Sequence, residues 1–288
     1  MAIVSFWTED GKETGQTATA IAVATQMAIQ HNKKVLLIST YENNKEIEAA
    51  YLKPQVQKTN LLSLLNLTKK SVGIESGVTG LMKIEGSNKL SPELIKDYTG
   101  IIFKDRLEVL SGYDGVETPT IDAFYVSLIK KASMVYDIVI VDLKKEINQL
   151  SQDILTASDV VVYGMTQKRH SIEGYATSRK EGYTSKMHNV VGYIGRYDKF
   201  SKYTQKNILR SIRTKDSLFP IVYNTLFSDA CDEGLVVDYL GIASDLKKAL
   251  SFYSDSGGKG DPTEQQEQAV ALMEEKLEVV QHLLHRFD

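Results

Sequence analysis

Several things are missing from this 288-residue chain, and each absence removes a class of protein. There is one cysteine, Cys231, so an intramolecular disulfide framework is excluded and sulfur is too scarce for a thiolate metal site. A buried, inert thiol is the expectation there. The five histidines show neither the H-x-x-x-H nor the carboxylate spacing of a zinc site. No Ser/His/Asp or Cys/His arrangement stands out as a nucleophile with its base. No apolar run approaches the roughly 18 residues that a membrane span needs. An excess of positive charge is also absent. The net charge is −3, so no global field recruits nucleic acid or anionic lipid, and any such contact must come from a local patch. The opening residues, Met1 to Trp7, lack the basic start and apolar stretch of a signal peptide, and a cytoplasmic location is the expectation.

What is present reads as one large α/β domain. The composition, 42% hydrophobic and 25% charged, is that of a chain able to bury a sizeable core. Ala2 to Trp7 is a short apolar run, and a polar loop follows from Thr8 to Gln16. Thr17 to Gln30 is a nearly uncharged helical stretch, and Val35 to Ile38 is again continuously apolar. Strand, loop, buried helix and buried strand in that order make a βαβ unit and a parallel sheet. Further strands are expected at Leu107 to Leu110, Tyr136 to Val141, Asp159 to Tyr163, Val190 to Ile194 and Phe219 to Tyr223, with a helix at Ile121 to Ser133. Seven or so strands interleaved with helices predict a doubly wound, mostly parallel sheet.

The stretch from Tyr51 to Asp105 reads as an excursion from that sheet. It holds helical pieces at Asn60 to Leu67 and Pro92 to Tyr98 around a Gly/Ser-rich centre at Gly73 to Gly86. The expected organisation is a main domain over 1–253, a flexible linker over 254–262 and a C-terminal amphipathic helix over 263–288. Asp261, Pro262 and Glu264 form a good helix start. Within that helix Val270, Met273, Leu277, Val280, Leu284 and Phe287 alternate three and four apart, an apolar seam suited to packing on its own domain or on another chain. Its glutamates argue against docking on anionic lipid.

The loop before the first helix is where a phosphate is held in P-loop proteins, by backbone amides and the positive helix end. The full motif, G-x-x-x-x-G-K-[ST], places a lysine on the β/γ-phosphates and a hydroxyl on magnesium. Aligned on its end, Gly15 and Thr17 fit here, Gln16 stands where the lysine belongs and Asp10 stands for the first glycine.

The loop, the Ala-rich helix and the strand after it resemble the ParA/MinD family, whose deviant loop reads K-G-G-x-G-K-[ST]. Leu107 to Gly112 resembles that family's strand ending in L-P-G. Tyr136 to Asp142 resembles its Walker B strand, with Asp142 in the magnesium or switch position. Thr166 and Gln167, ahead of a helix from Ser171, resemble the segment after the next strand. Val191 to Asp198 resembles the strand ending in N-R-Y-D, with Gly195 in place of the asparagine. Trp7, the Gly15-Gln16-Thr17 loop end, Gly195 to Asp198 and Tyr223 to Thr225 are most similar to degenerate members such as the TadZ-like proteins, which position pilus-assembly machinery.

The resemblance implies ATP with magnesium as cofactor, held by Gly11, Lys12, Thr14, Gly15, Gln16, Thr17, Ala18, Arg196 and Asn224, with Thr17 and Asp142 on the metal. It also implies a homodimer. The early lysine that reaches a partner's nucleotide falls on Gly11 here, with Lys12 one place off. The aspartate usual after the second strand is missing from Ser39 to Asn44. Loss of a charge-assisted contact costs about 1.5–3 kcal/mol, so very slow or absent hydrolysis is expected. The alternative is an empty structural turn, with Glu9, Asp10 and Glu13 repelling phosphate. A pseudo-ATPase scaffold for a pilus or secretion system is one functional expectation. A DNA-partitioning protein is the other, using Lys199, Lys202, Lys206, Arg210 and Arg213, the last four on one helix face. Tyr197, Phe200 and Tyr203 lie between them, and a solvated face explains the same pattern.

Overall fold

The computed structural model describes residues 1–42, 45–52, 77–87, 89–114, 119–187, 189–241 and 243–244, with backbone alone at 11, 12 and 119. Eight strands form one sheet: β1 (Ala2–Thr8), β2 (Val35–Ser39), β3 (Gly100–Phe103), β4 (Leu107–Leu110), β5 (Ile138–Asp142), β6 (Val160–Met165), β7 (Val190–Ile194) and β8 (Ser217–Pro220). Their order is β3-β4-β2-β5-β1-β6-β7-β8. All neighbours run parallel except β3, which pairs antiparallel with β4 at the edge. The described helices are α1 (Gln16–Gln30), α2 (Glu46–Tyr51), α3 (Gly77–Gly86), α4 (Pro119–Ala132), α5 (Gln149–Ala157), α6 (Arg169–Lys180), α7 (Gln205–Ile212) and α8 (Thr225–Asp232), with a further helical turn over 236–241. No helix among the described residues is long and apolar enough to cross a membrane.

Helices cover both faces, as parallel strands require. On one face α3 to α7 close a core that includes Trp7, Leu36, Ile38, Leu128, Val141, Tyr163 and Ile194. On the other face α1, α2, α8 and the 236–241 turn close a core around Phe6, Leu37 and Ile140. Helix α1 fits closely against the sheet because its buried stripe holds Ala20, Ala24 and Ala28, small residues four apart, with Ile21 beside them. Burying each large side chain of these layers stabilises the fold by roughly 1.5–3 kcal/mol.

Two expectations need correcting. Gly77–Gly86 is a helix rather than an irregular centre, because Val78 and Leu81 bury against the first core and outweigh the poor helix propensity of glycine. The last strand is Ser217–Pro220, not Phe219 to Tyr223. Beyond Pro220 the Ile221 amide donates to Ile194 and its carbonyl accepts from Tyr197, so the ladder closes and Val222 and Tyr223 are left exposed. The antiparallel strand β3 had no counterpart in the sequence reading. The helix expected at Asn60 to Leu67, the linker 254–262 and the helix 263–288 lie outside the described residues.

Candidate functional site

In an open α/β sheet the ligand crevice lies beyond the carboxyl ends of the strands, where the chain order switches direction. That point here is the end of β1, between β5 and β6. From it a short 3-10 turn, Gly11–Thr14, leads to Gly15 and the start of α1. Gly15 adopts φ 67°, a left-handed conformation that side chains rarely take, and it reverses the chain into the helix. The N-cap of α1 is Gly15, which has no side chain to cap the terminus. The first amides of α1 and the positive end of its dipole therefore face the crevice.

The residue in the lysine position does not point outward. Gln16 is only 3% exposed, and its Nε2 donates to Asp142 Oδ1 at 2.7 Å and to the Leu143 carbonyl at 2.8 Å. Thr17 Oγ1 donates to Asp142 Oδ2 at 2.8 Å. The Gln16 amide is thus bonded to the end of β5 and the residue after it. A buried carboxylate without hydrogen bonds is costly, and the amide turns inward to supply one. Asp142 lies at the end of β5, in register with Phe6 of β1 and Ser39 of β2, and is fully buried. Burial pushes its pKa up to about 6, against the pull of the two donated hydrogen bonds. Tyr41 closes the same side, its phenol raised by burial and by the Asp142 charge and lowered by a hydrogen bond with Gln16.

The three acids of the loop are engaged. Glu9 Oε1 accepts from the Tyr163 hydroxyl at 2.8 Å, Asp10 accepts from Ser171 Oγ, and Glu13 pairs with Lys168 Nζ. Ser171 Oγ in turn accepts from the Thr166 amide at 2.8 Å. The loop is thereby tied to the start of α6, and Lys168 holds the Glu13 carboxyl below its usual pKa. The sequence gives no sign of these ties, which join residues about 155 positions apart.

Thr14 is buried, and its carbonyl abuts Gly195, where a Cβ would stand 2.1 Å from that oxygen. Glycine at 195 thus has a steric reason. The next residue, Arg196, is held at φ 49° with its guanidinium 5.7 Å from the Tyr223 ring centroid. Asn224 caps α8, its side chain accepting from the Phe227 amide at 2.9 Å. A cleft of about 540 Å³ joins these parts, lined by Gly15, Thr17, Ala18, Arg196, Tyr223 and Asn224 and floored by apolar residues including Ile21, Ala22 and Phe227. Its base presents Cys231, whose thiol burial pushes up to about 12, so it is inert. Thr14 also lines the cleft, while the side chain of Lys12 is outside the described set.

Among the described residues no group of three or more His, Cys, Asp or Glu side chains could hold a metal. The adjacent Thr17 hydroxyl and Asp142 carboxylate are hard oxygen donors that fit magnesium. That ion takes few protein ligands and completes its shell with phosphate and water. The basic residues named from sequence are exposed but do not share one helix. Lys206 and Arg210 stand one turn apart on α7, Lys199 and Lys202 precede it, and Arg213 is its left-handed cap at φ 51°.

A mostly parallel sheet, helices on both faces and a glycine-led helix mouth at the switch point define the P-loop NTPase fold of the ParA/MinD type. Solved structures carry the same fold. A ParA family ATPase from Chlorobium tepidum superposes with a TM-score of 0.62 at 15% identity, over 83% of this chain and 92% of its own. MinD in the MinC:MinD cell division complex of Aquifex aeolicus gives 0.58 at 16% identity, over 83% and 88%. A putative plasmid partition protein from Borrelia burgdorferi, bound to AMPPNP, gives 0.57 at 17% identity, over 81% and 90%. No protein-family model and no curated protein matches the chain.

Proposed function

We propose that this chain is a nucleotide-binding scaffold with very slow or absent ATP hydrolysis. It forms a homodimer across the α1 mouth and positions a larger assembly such as a pilus or secretion system, as the TadZ-like resemblance implies. One observation carries the reading: an uncapped, Gly15-led helix mouth opens into a 540 Å³ cleft, while the residue in the lysine position is bonded to Asp142. Backbone amides, the helix dipole and Thr17 remain to hold a phosphate, and Arg196, Tyr223 and Asn224 remain for the nucleoside. The ammonium that would stabilise phosphoryl transfer is absent, and removal of such preorganised stabilisation costs about 10²–10³ in rate. The AMPPNP in the Borrelia burgdorferi structure supports this choice of ligand class. ATP then acts as interface glue, and light scattering of the full chain with and without ATP and magnesium tests it. A shift from one to two chains is expected; an unchanged mass contradicts the dimer.

A second reading, non-specific DNA binding in a partition system, draws on the exposed Lys206 and Arg210 of α7 with Lys199, Lys202 and Arg213 beside them. It predicts salt-sensitive binding to random duplex that is abolished by charge reversal of Lys202 and Arg210.

A further inference from the structure

Two neighbouring turns at the carboxyl end of the sheet hold large apolar side chains out in solvent. The first, over 196–203, follows β7 and is pinned by Gln167. The Gln167 Nε2 donates to the carbonyls of Asp198 at 3.0 Å and Tyr203 at 2.8 Å, and its Oε1 accepts from the Asp198 amide at 2.7 Å. The Asp198 side chain accepts from the Phe200 amide at 2.9 Å and closes the turn. Tyr197 and Tyr203 pack inward on the first core, while Phe200 is left 85% exposed. The second turn follows β8 and is tied to the first, the Tyr197 amide donating to the Ile221 carbonyl at 2.9 Å. It exposes Val222 and Tyr223, with Phe219 before them and Leu226 after. A phenylalanine fixed in water by a built turn forgoes the stabilisation of burial, and exposed apolar clusters of this kind mark contact surfaces.

The charge around these side chains is nearly all of one sign. Residues 196–213 carry six bases, Arg196, Lys199, Lys202, Lys206, Arg210 and Arg213, against one acid, Asp198, and residues 217–228 carry no charge. The Lys199 ammonium lies 5.1 Å from the Phe200 ring centroid, and the Arg196 guanidinium 5.7 Å from that of Tyr223. Glu13 also stands near Arg196, already paired with Lys168. In a chain of net charge −3 this is a local positive patch. We infer that it docks on an anionic lipid surface. Phe200 and the apolar residues after β8 enter the boundary between headgroups and acyl chains, and the flanking bases meet the headgroups. Three features select that partner. Two copies of the patch placed face to face would bring their own cations together. A helix or peptide docks in a groove, whereas Phe200 protrudes. Duplex DNA would engage the bases through its phosphates, which leaves Phe200, Val222 and Leu226 in water. An anionic bilayer uses both parts, taking apolar side chains at its interface and attracting lysine and arginine by its surface potential. That attraction acts within about 10 Å at 0.1 M salt, so acids elsewhere on the chain oppose it little.

The test is flotation of the full chain with phosphatidylcholine vesicles, with and without phosphatidylserine, in the absence of nucleotide, so that it stands apart from the function proposed above. Binding to the phosphatidylserine vesicles is expected, with none to the neutral ones. Raising salt from about 0.1 M to about 1 M shortens the screening length from about 10 Å to about 3 Å and should release the protein. Phe200→Ser should weaken binding about tenfold or more, and Lys202→Ala about fivefold. Phe200→Trp adds a direct reading, because the chain's one tryptophan, Trp7, is fully buried and gives a constant background. Its emission should move to shorter wavelength when the phosphatidylserine vesicles are added. Failure to bind these vesicles at low salt overturns the proposal, as does equal binding to neutral ones. Binding indifferent to Phe200→Ser would place the contact elsewhere on the chain and overturns it too. So does binding to random duplex DNA without binding to the anionic vesicles.

Discussion

The side-chain amide of Gln16 reaches Asp142 at 2.7 Å from the first turn of α1, joining the phosphate loop to the end of β5. Gln16 stands at the position where the P-loop motif has its lysine, and this bond turns its side chain inward. Thr17 donates to the other carboxylate oxygen, so both oxygens of Asp142 accept a hydrogen bond.

Gln16→Lys should convert a neutral donor into an ammonium beside the cleft. A charge-assisted contact stabilises by about 1.5–3 kcal/mol, which corresponds to roughly ten- to hundred-fold tighter ATP. Calorimetric titration of the two proteins side by side checks this. Equal affinities would mean that the position does not face phosphate in either form.

Two glycines should respond differently to alanine. At Gly195 a Cβ would collide with the Thr14 backbone oxygen at 2.1 Å, so Gly195→Ala should lower stability by more than about 2 kcal/mol and displace the loop. At Gly15 nothing lies within 4 Å of the added carbon, and the cost is the left-handed φ alone, about 1–2 kcal/mol. Denaturant unfolding measures both, and reversal of the order would contradict the close approach.

The pH dependence has a definite sign. Asp142 has a folded pKa of about 6, above the ordinary carboxylate value, so the folded state binds its proton more tightly than the unfolded state. The penalty for burying the charge is present above about pH 6 and is relieved as pH falls toward 4. This group alone therefore adds stability on acidification through that window. Asp142→Asn should remove that component, which is read as the difference between the two unfolding profiles.

Asn224 has a structural duty whatever else it touches. Its Oδ1 caps α8 through the Phe227 amide, and Asn224→Ala should cost about 1 kcal/mol. Asn224→Ser keeps a cap. If it restores stability but not ATP affinity, the amide also contacts nucleotide.

Much of the architecture was legible from sequence because parallel strands buried on both faces appear as continuous apolar runs, as at Val35 to Ile38 and Ile138 to Val141. The first βαβ unit and the position of the loop followed from that pattern. The failures share a cause: they depended on partners distant in the chain. Gly77–Gly86 is helical because Val78 and Leu81 find a core supplied by other elements. The apolar run at Phe219 to Tyr223 looks like a strand, yet its pairing stops at Ile221, whose amide donates to Ile194 and whose carbonyl accepts from Tyr197. At the site, the loop and Asp142 were recognisable by their residue types. The inward turn of Gln16, the steric demand on Gly195 and the ties of Glu9 to β6 and of Asp10 and Glu13 to the start of α6 exist only in three dimensions.

In the function proposed above, the α1 mouth binds a triphosphate that the protein scarcely hydrolyses. Titration of the full chain with ATP and magnesium, followed by assay of released phosphate in the same sample, tests it most directly. The prediction is saturable binding with turnover well below about one per minute, as expected when the transition-state ammonium is missing. Absence of binding heat, or turnover at about one per minute or faster, contradicts the account.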